Sequence, residues 1–234
     1  MEHKLKLSER LNAIADYIEP GASVADIGTD HGHLPVYLAQ NGLASSIIAS
    51  DISAGSLEAA LKSASKYGVK DSIQFIVAPG LSGICRSDAD TVVLAGMGGE
   101  TIASILEGAR WPGSCGVRLV LQPQSKIGEL CSCLREYGFV IVDAKLVRDD
   151  GRLYVVMLVT GGVADFALEP EMELYARMIR NDDPLFAEYI DNLIDNAHHA
   201  LAGMKYSGTE YPKILKKLAM YSSLKEVCKN ANRK

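Results

Sequence analysis

Seven short runs of β-branched and aliphatic residues recur along the first two thirds of this chain, and the spacing between them limits what it can fold into. They lie at 23–27, 46–50, 73–77, 91–94, 117–121, 139–146 and 153–159. Stretches with helical apolar spacing separate most of them, at 34–41, 53–67, 99–107 and 125–137, with a short piece at 81–84. Strands separated by helices form βαβ units, and these build a parallel sheet with right-handed crossovers and helices on both faces. The last two runs depart from the rule. Only the turn-like segment 147–152 divides them, too short for a crossover helix, so they must pair as an antiparallel hairpin. Residues 7–18 add an opening helix, with Ser8 as N-cap and Pro20-Gly21 as the stop.

A mostly parallel seven-stranded sheet ending in a hairpin is a Rossmann-like α/β fold of the class I methyltransferase kind; a nicotinamide dehydrogenase would continue with another parallel unit. After the candidate hinge Thr160-Gly161-Gly162 the β signal stops, and 169–179, 184–204 and 211–230 carry only helical periodicity. The expected organisation is an α/β domain over 1–162 and a small all-helical, coiled-coil-like domain over 163–234. The chain of 234 residues carries a formal net charge of −5, so no global basic surface marks it as a nucleic-acid binder. Its end is different: from Gly203 onward eight Lys or Arg, among them Lys205, Lys213, Lys216, Lys217, Lys225 and Lys229, face two acids. No apolar window approaches the roughly 18 residues of a membrane span, and no leader-like run opens the chain, which points to a cytoplasmic protein. Five cysteines without C-x-x-C spacing suggest neither a disulfide framework nor a metal site. A monomer is the default expectation.

Ligands of doubly wound sheets gather at the carboxyl ends of the strands. The first end reads Asp26-Ile27-Gly28-Thr29-Asp30-His31-Gly32. Gly28 permits a sharp exit and Gly32 a close helix start, but the middle glycine of a dinucleotide fingerprint is missing, and Asp30 stands where a pyrophosphate needs bare backbone. That suits S-adenosylmethionine, which carries a sulfonium and an ammonium and no phosphate, with Asp26 holding the ammonium. Asp51 closes the second run 23 residues after Gly28, a spacing at which an acid accepts ribose hydroxyls, and is the expected ribose ligand; the alternative is a cap of the next helix. Ile52, Ala78 and Gly80 complete the expected cofactor contacts, with Thr29, Ala95 and Gly96. The Ala95-Gly96-Met97-Gly98-Gly99 stretch offers almost bare backbone, either as a floor for a flat base at Met97, Gly98 and Gly99 or as a tight strand-to-helix turn. Gln122 or Gln124 either hydrogen-bonds that base or caps a loop.

Gly28-Thr29-Asp30-His31-Gly32-x-Leu34-Pro35, Ala49-Ser50-Asp51, Ala95-Gly96-Met97-Gly98-Gly99 and Leu121-Gln122-Pro123 together resemble the bacterial tRNA adenine N1-methyltransferases of the TrmK type. The likeness runs from Leu7-Ser8-x-Arg10-Leu11 through Tyr154 and is looser in the helical tail. The resemblance implies methylation of N1 of adenine 22 in the D-arm of tRNA. For that reaction Asp30 is the expected acceptor of charge or proton as the ring becomes cationic, with His31 as second candidate. Arg10 and the Lys213, Lys216, Lys217 group are the expected RNA contacts. The competing readings are a small-molecule methyltransferase and a non-catalytic nucleotide- or RNA-binding module.

Overall fold

The computed structural model describes residues 4–113, 116–162, 168–204 and 208–231. The seven runs form one sheet in the order β3-β2-β1-β4-β5-β7-β6, parallel from β3 through β5 and antiparallel in the two pairings that involve β7. Its strands are β1 (Ala22–Ile27), β2 (Ala44–Asp51), β3 (Gln74–Val77), β4 (Thr91–Gly98), β5 (Arg118–Ser125), β6 (Phe139–Asp149) and β7 (Arg152–Gly161). The strand order reverses between β1 and β4, and that switch point opens a crevice at the carboxyl ends. Helices α1 (Glu9–Ala15), α2 (His33–Gln40), α3 (Ala54–Lys66), α4 (Gly99–Gly108) and α5 (Ile127–Glu136) connect and cover the sheet. Val24, Ala25, Val92, Val93, Leu119, Val120 and Leu121 are wholly buried, the continuous apolar strand pattern of a sheet covered on both faces. Ser8 caps α1 as expected, its Oγ accepting from the Leu11 amide at 3.4 Å.

Two local expectations give way. The piece at 81–84 is a turn and not a helix, four residues being too few to offset nucleation. The glycine-rich segment after residue 94 is not a loop: β4 continues to Gly98, pairing Met97 with Pro123 and Gly98 with Ser125 across a register shift. Gly96, at φ +77°, supplies the bulge, and Gly99 lets α4 begin directly against the Ser125-Lys126 main chain, where a Cβ would overlap the Lys126 carbonyl.

The chain divides into two compact units, Met1–Arg177 and Met178–Lys234. The division falls inside α6 (Pro170–Arg180), later than the glycines at 161–162. Gly161 ends β7 where its missing side chain admits the Gly113 carbonyl, a packing role. The start of α6 is tied to α5 by an Arg135–Glu173 ion pair at 3.2 Å and a hydrogen bond from Arg135 to the Leu168 carbonyl. In the second unit α7 (Phe186–Ala202) packs on α8 (Glu210–Ala231), with Lys225 Nζ 2.6 Å from Asp191. Lys213 pairs with Glu210 at 2.7 Å, Lys216 is exposed and Lys217 half-buried. Lys205, Arg233 and Lys234 of the basic tail lie outside the described residues. No helix among the described residues is long and apolar enough to cross a membrane, and no cluster of His, Cys, Asp and Glu among them could hold a metal ion.

Candidate active site

The exit from β1 is folded by its own hydrogen bonds. Gly28, at φ +74°, and Thr29 both donate their amides to the Ser50 carbonyl, at 2.7 and 3.0 Å, which fixes the turn to the end of β2. The Asp30 amide donates to Asp51 Oδ2 at 3.2 Å, and the Gly32 amide to the Thr29 carbonyl at 2.9 Å. Four amides of the turn are therefore spent inside the protein. A phosphate-binding turn presents such amides outward in a nest, so this one offers a pyrophosphate little. Asp51 Oδ1 also accepts from the Ser53 amide at 2.8 Å, while the cap of α3 is Ser53 itself, through its Oγ. A carboxylate has about four acceptor positions, so the doubly anchored Asp51 retains capacity for hydroxyl donors.

Gly32 is the N-cap of α2 at φ +67°, and a Cβ there would stand 2.8 Å from Ala60 Cβ and 3.1 Å from its Cα. Strain and overpacking combine, so Gly32→Ala is expected to cost about 2 kcal/mol or more in urea unfolding, with partial recovery in the Gly32→Ala, Ala60→Gly double variant.

Above the turn lies a cavity of about 220 Å³ bounded by Asp26, Asp30, His31, Arg10, Gly96 and Gln124, with Gly28, Thr29, His33 and Ala95 also on its wall. Asp26 is buried at its base. Burial pushes its carboxyl up to about 6, the nearby Thr29 hydroxyl working against that rise and the Asp51 charge adding to it. Asp30 sits at the mouth, its side chain 71 % exposed, at φ +52°, in the left-handed region that Asp tolerates better than most residues. It does not cap α2, which has no side-chain cap. His31 Nε2 lies 3.7 Å from Asp30 Oδ2, and the His31 ring stacks on His33 with centroids 5.7 Å apart. Partial burial and the neighbouring His31 hold the His33 imidazolium below its usual range, with Asp30 opposing.

The opposite wall comes from α1 and β5. Arg10 Nη1 donates to Gln122 Oε1 at 2.8 Å, and the same oxygen accepts from the Gly96 amide at 3.1 Å. The guanidinium also lies 5.6 Å from the Tyr154 ring centroid and 3.9 Å from Asp149. Arg10 is thus built into the cavity wall, and Gln122 is wholly buried beneath it rather than offered to a base. Met97 is half-buried with its tip over Gly28, so close that a Cβ on Gly28 would collide with it. Gly98 packs near Ser125 Oγ and Gly99 is buried, so neither borders the cavity. On the other side of Asp51, Ile52 is 73 % exposed and Val77 59 %, an apolar surface at the ends of β2 and β3. Ala78 is buried there, its amide donating to the Asp51 carbonyl at 3.0 Å, and Gly80 borders a separate hollow beside α4. Sequence pattern alone does not reveal the Arg10–Gln122 link, the Tyr154 and Asp149 contacts or the exposure of Gln124 to the cavity. Only the Gln-x-Gln alternation at the end of β5 hints at the last.

Residues 7–157 match the methyltransferase domain family. Over 167 residues the chain is 36% identical to the tRNA (adenine(22)-N(1))-methyltransferase of Bacillus subtilis, covering 71% of this chain and 70% of that one. The chain belongs to that family. The crystal structure of the B. subtilis m1A22 tRNA methyltransferase TrmK matches with a TM-score of 0.79 at 29% identity, over 97% of this chain and 98% of that one. TrmK of M. capricolum, in complex with S-adenosyl-homocysteine, matches with a TM-score of 0.79 at 26% identity, over 96% and 99%. A TrmK-family fold accounts for the hairpin end of the sheet and for the continuation into a helical unit.

Proposed function

We propose that this cavity carries out S-adenosylmethionine-dependent methylation of N1 of adenine 22 in tRNA. The observation that carries the reading is the closed hydrogen bonding of the β1 turn beside two carboxylates, one buried and one at the mouth. The site fits a cationic, phosphate-free nucleoside: Asp26 suits an ammonium, Asp51 suits ribose hydroxyls, and the exposed Ile52 and Val77 suit the face of an adenine ring. When bound, S-adenosylmethionine supplies the methyl group from its sulfonium. The residues of the chain have the remaining work. Neutral adenine keeps a lone pair on N1, so no base is needed before transfer; afterwards the ring is cationic, and Asp30 at the mouth stabilises it and accepts a proton from N6. His31, beside Asp30, takes that proton on to solvent.

N1 lies on the pairing edge, so the base must be unpaired or flipped at a cost of a few kcal/mol, which phosphate contacts offset. We assign those contacts to Lys213, Lys216 and Lys217 on α8, and the reading goes with a cytoplasmic address. Incubation with labelled cofactor and unmodified tRNA, followed by nucleoside analysis, should yield 1-methyladenosine at position 22; methylation of another base or of none would overturn the reading. Changing the three lysines to Glu should weaken tRNA binding and flatten its salt dependence by roughly one unit of log–log slope for each phosphate no longer neutralised. Binding of S-adenosylhomocysteine should be unaffected, and an unchanged slope would remove α8 from RNA recognition.

A further inference from the structure

Two glutamines stand two residues apart at the end of β5, both with side-chain atoms beside Gly96, and the fold treats them oppositely. Gln122 is wholly buried and held at both ends of its amide: its Oε1 accepts from Arg10 and Gly96, and its Nε2 donates to the Pro123 carbonyl at 3.0 Å. Gln124 is exposed on the cavity wall, and its amide has no hydrogen-bond partner among the described residues. Its Nε2 lies 3.8 Å from the point a Cβ on Gly96 would occupy, so the glycine keeps the space beside it open. The cavity thus joins an uncommitted amide on one wall to the Asp30 carboxylate on the other.

A base that receives a methyl group on N1 must keep its Watson–Crick edge bare toward the donor. Whatever identifies it as adenine has to use another edge, and the Hoogsteen edge offers N7 as acceptor and the second N6 hydrogen as donor. A primary amide matches that pair, Nε2–H to N7 and Oε1 from N6–H, the bidentate recognition through which Asn and Gln select adenine. Guanine presents acceptors at both N7 and O6, so Oε1 would face O6 without a hydrogen between them. The neutrality of the amide also suits both stages of the reaction: it binds the uncharged base, and its bond from N6–H strengthens once the ring is cationic.

We propose that Gln124 is the specificity-determining residue that reads the Hoogsteen edge of the target adenine, opposite Asp30 on the Watson–Crick side. The proposal rests on the methylation reading above and names the group that selects the base. Arg10 contributes by holding Gln122 in the wall, which leaves Gln124 as the glutamine at the end of β5 that faces the cavity.

The test uses the full chain and two tRNAs, one with adenine and one with 7-deazaadenine at position 22, in single-turnover methylation by the wild type and by Gln124→Leu. Removing N7 should slow the wild type about fivefold, the loss of one hydrogen bond. Gln124→Leu should slow methylation of ordinary adenine roughly 5- to 150-fold, with S-adenosylhomocysteine affinity and melting temperature unchanged, and should be indifferent to the loss of N7. A wild-type rate for Gln124→Leu, or an equal factor lost by both enzymes on removing N7, would overturn the proposal and leave the methylation reading intact. A wild type that leaves ordinary adenine 22 unmethylated would overturn that reading, and the proposal with it.

Discussion

Asp30→Asn is expected to lower the single-turnover rate of methylation by a factor between about 10² and 10⁴, the range of a positioned proton acceptor, while calorimetric affinity for S-adenosylhomocysteine changes little. The isosteric change is the informative one because Asn tolerates the left-handed φ of +52° as well as Asp does, whereas Ala adds backbone strain of about 1 kcal/mol. The tie between the turn and Asp51 runs through the Asp30 main-chain amide, so a side-chain substitution leaves the cofactor wall in place. The exposure of the carboxylate points the same way, since a group at the mouth can change without emptying the core. Equal losses in rate and cofactor affinity would make Asp30 a cofactor ligand and pass the acceptor role to His31.

Asp26 should couple cofactor binding to pH. Its carboxyl in the folded protein is pushed up to about 6, against 3.8 as the ordinary value. A raised acid stabilises the fold fully below its unfolded value and loses that stabilisation as pH rises through the folded one. Between pH 4 and pH 7 the unliganded protein should therefore lose roughly 2 kcal/mol through this group, and Asp26→Asn should remove that part of the slope in urea unfolding. The ligand works in the opposite sense. A bound ammonium favours ionised Asp26, so S-adenosylhomocysteine affinity should fall up to tenfold per unit as pH drops below 6, with proton release on binding near that pH. An Asp26→Asn protein with the same affinity profile from pH 5 to pH 8 as the wild type would show that Asp26 does not face the ammonium.

The path of the chain is open to reading wherever a local pattern decides it. Residues 147–152 are too few for a helix, and β6 and β7 pair as that shortness requires, through Asp149 and Arg152. The motif around Gly28 and Asp51 likewise announces a turn and an acid at the ends of neighbouring strands, because both are set by strand-end chemistry. What escapes the sequence depends on partners far along the chain. Gln122 and Gln124 are equivalent until Arg10, 112 residues away, takes the first. The run of glycines after Leu94 reads as a loop until the end of β5 pairs with it and extends β4 to Gly98. The basic residues of α8 read as a patch, while the structure sets Lys213 against Glu210 and Lys225 against Asp191.

The inward-facing main chain of the first turn bears on how such an enzyme works amid abundant metabolites. Adenosine triphosphate and diphosphate share the nucleoside half of the cofactor and greatly outnumber it in growing cells. With the amides of residues 28, 29, 30 and 32 already engaged and acids at the base and the mouth, the turn offers their charged tails no open amides and sets carboxylates against them. Selectivity against these competitors is then a property of the strand exit itself, and needs no dedicated gate.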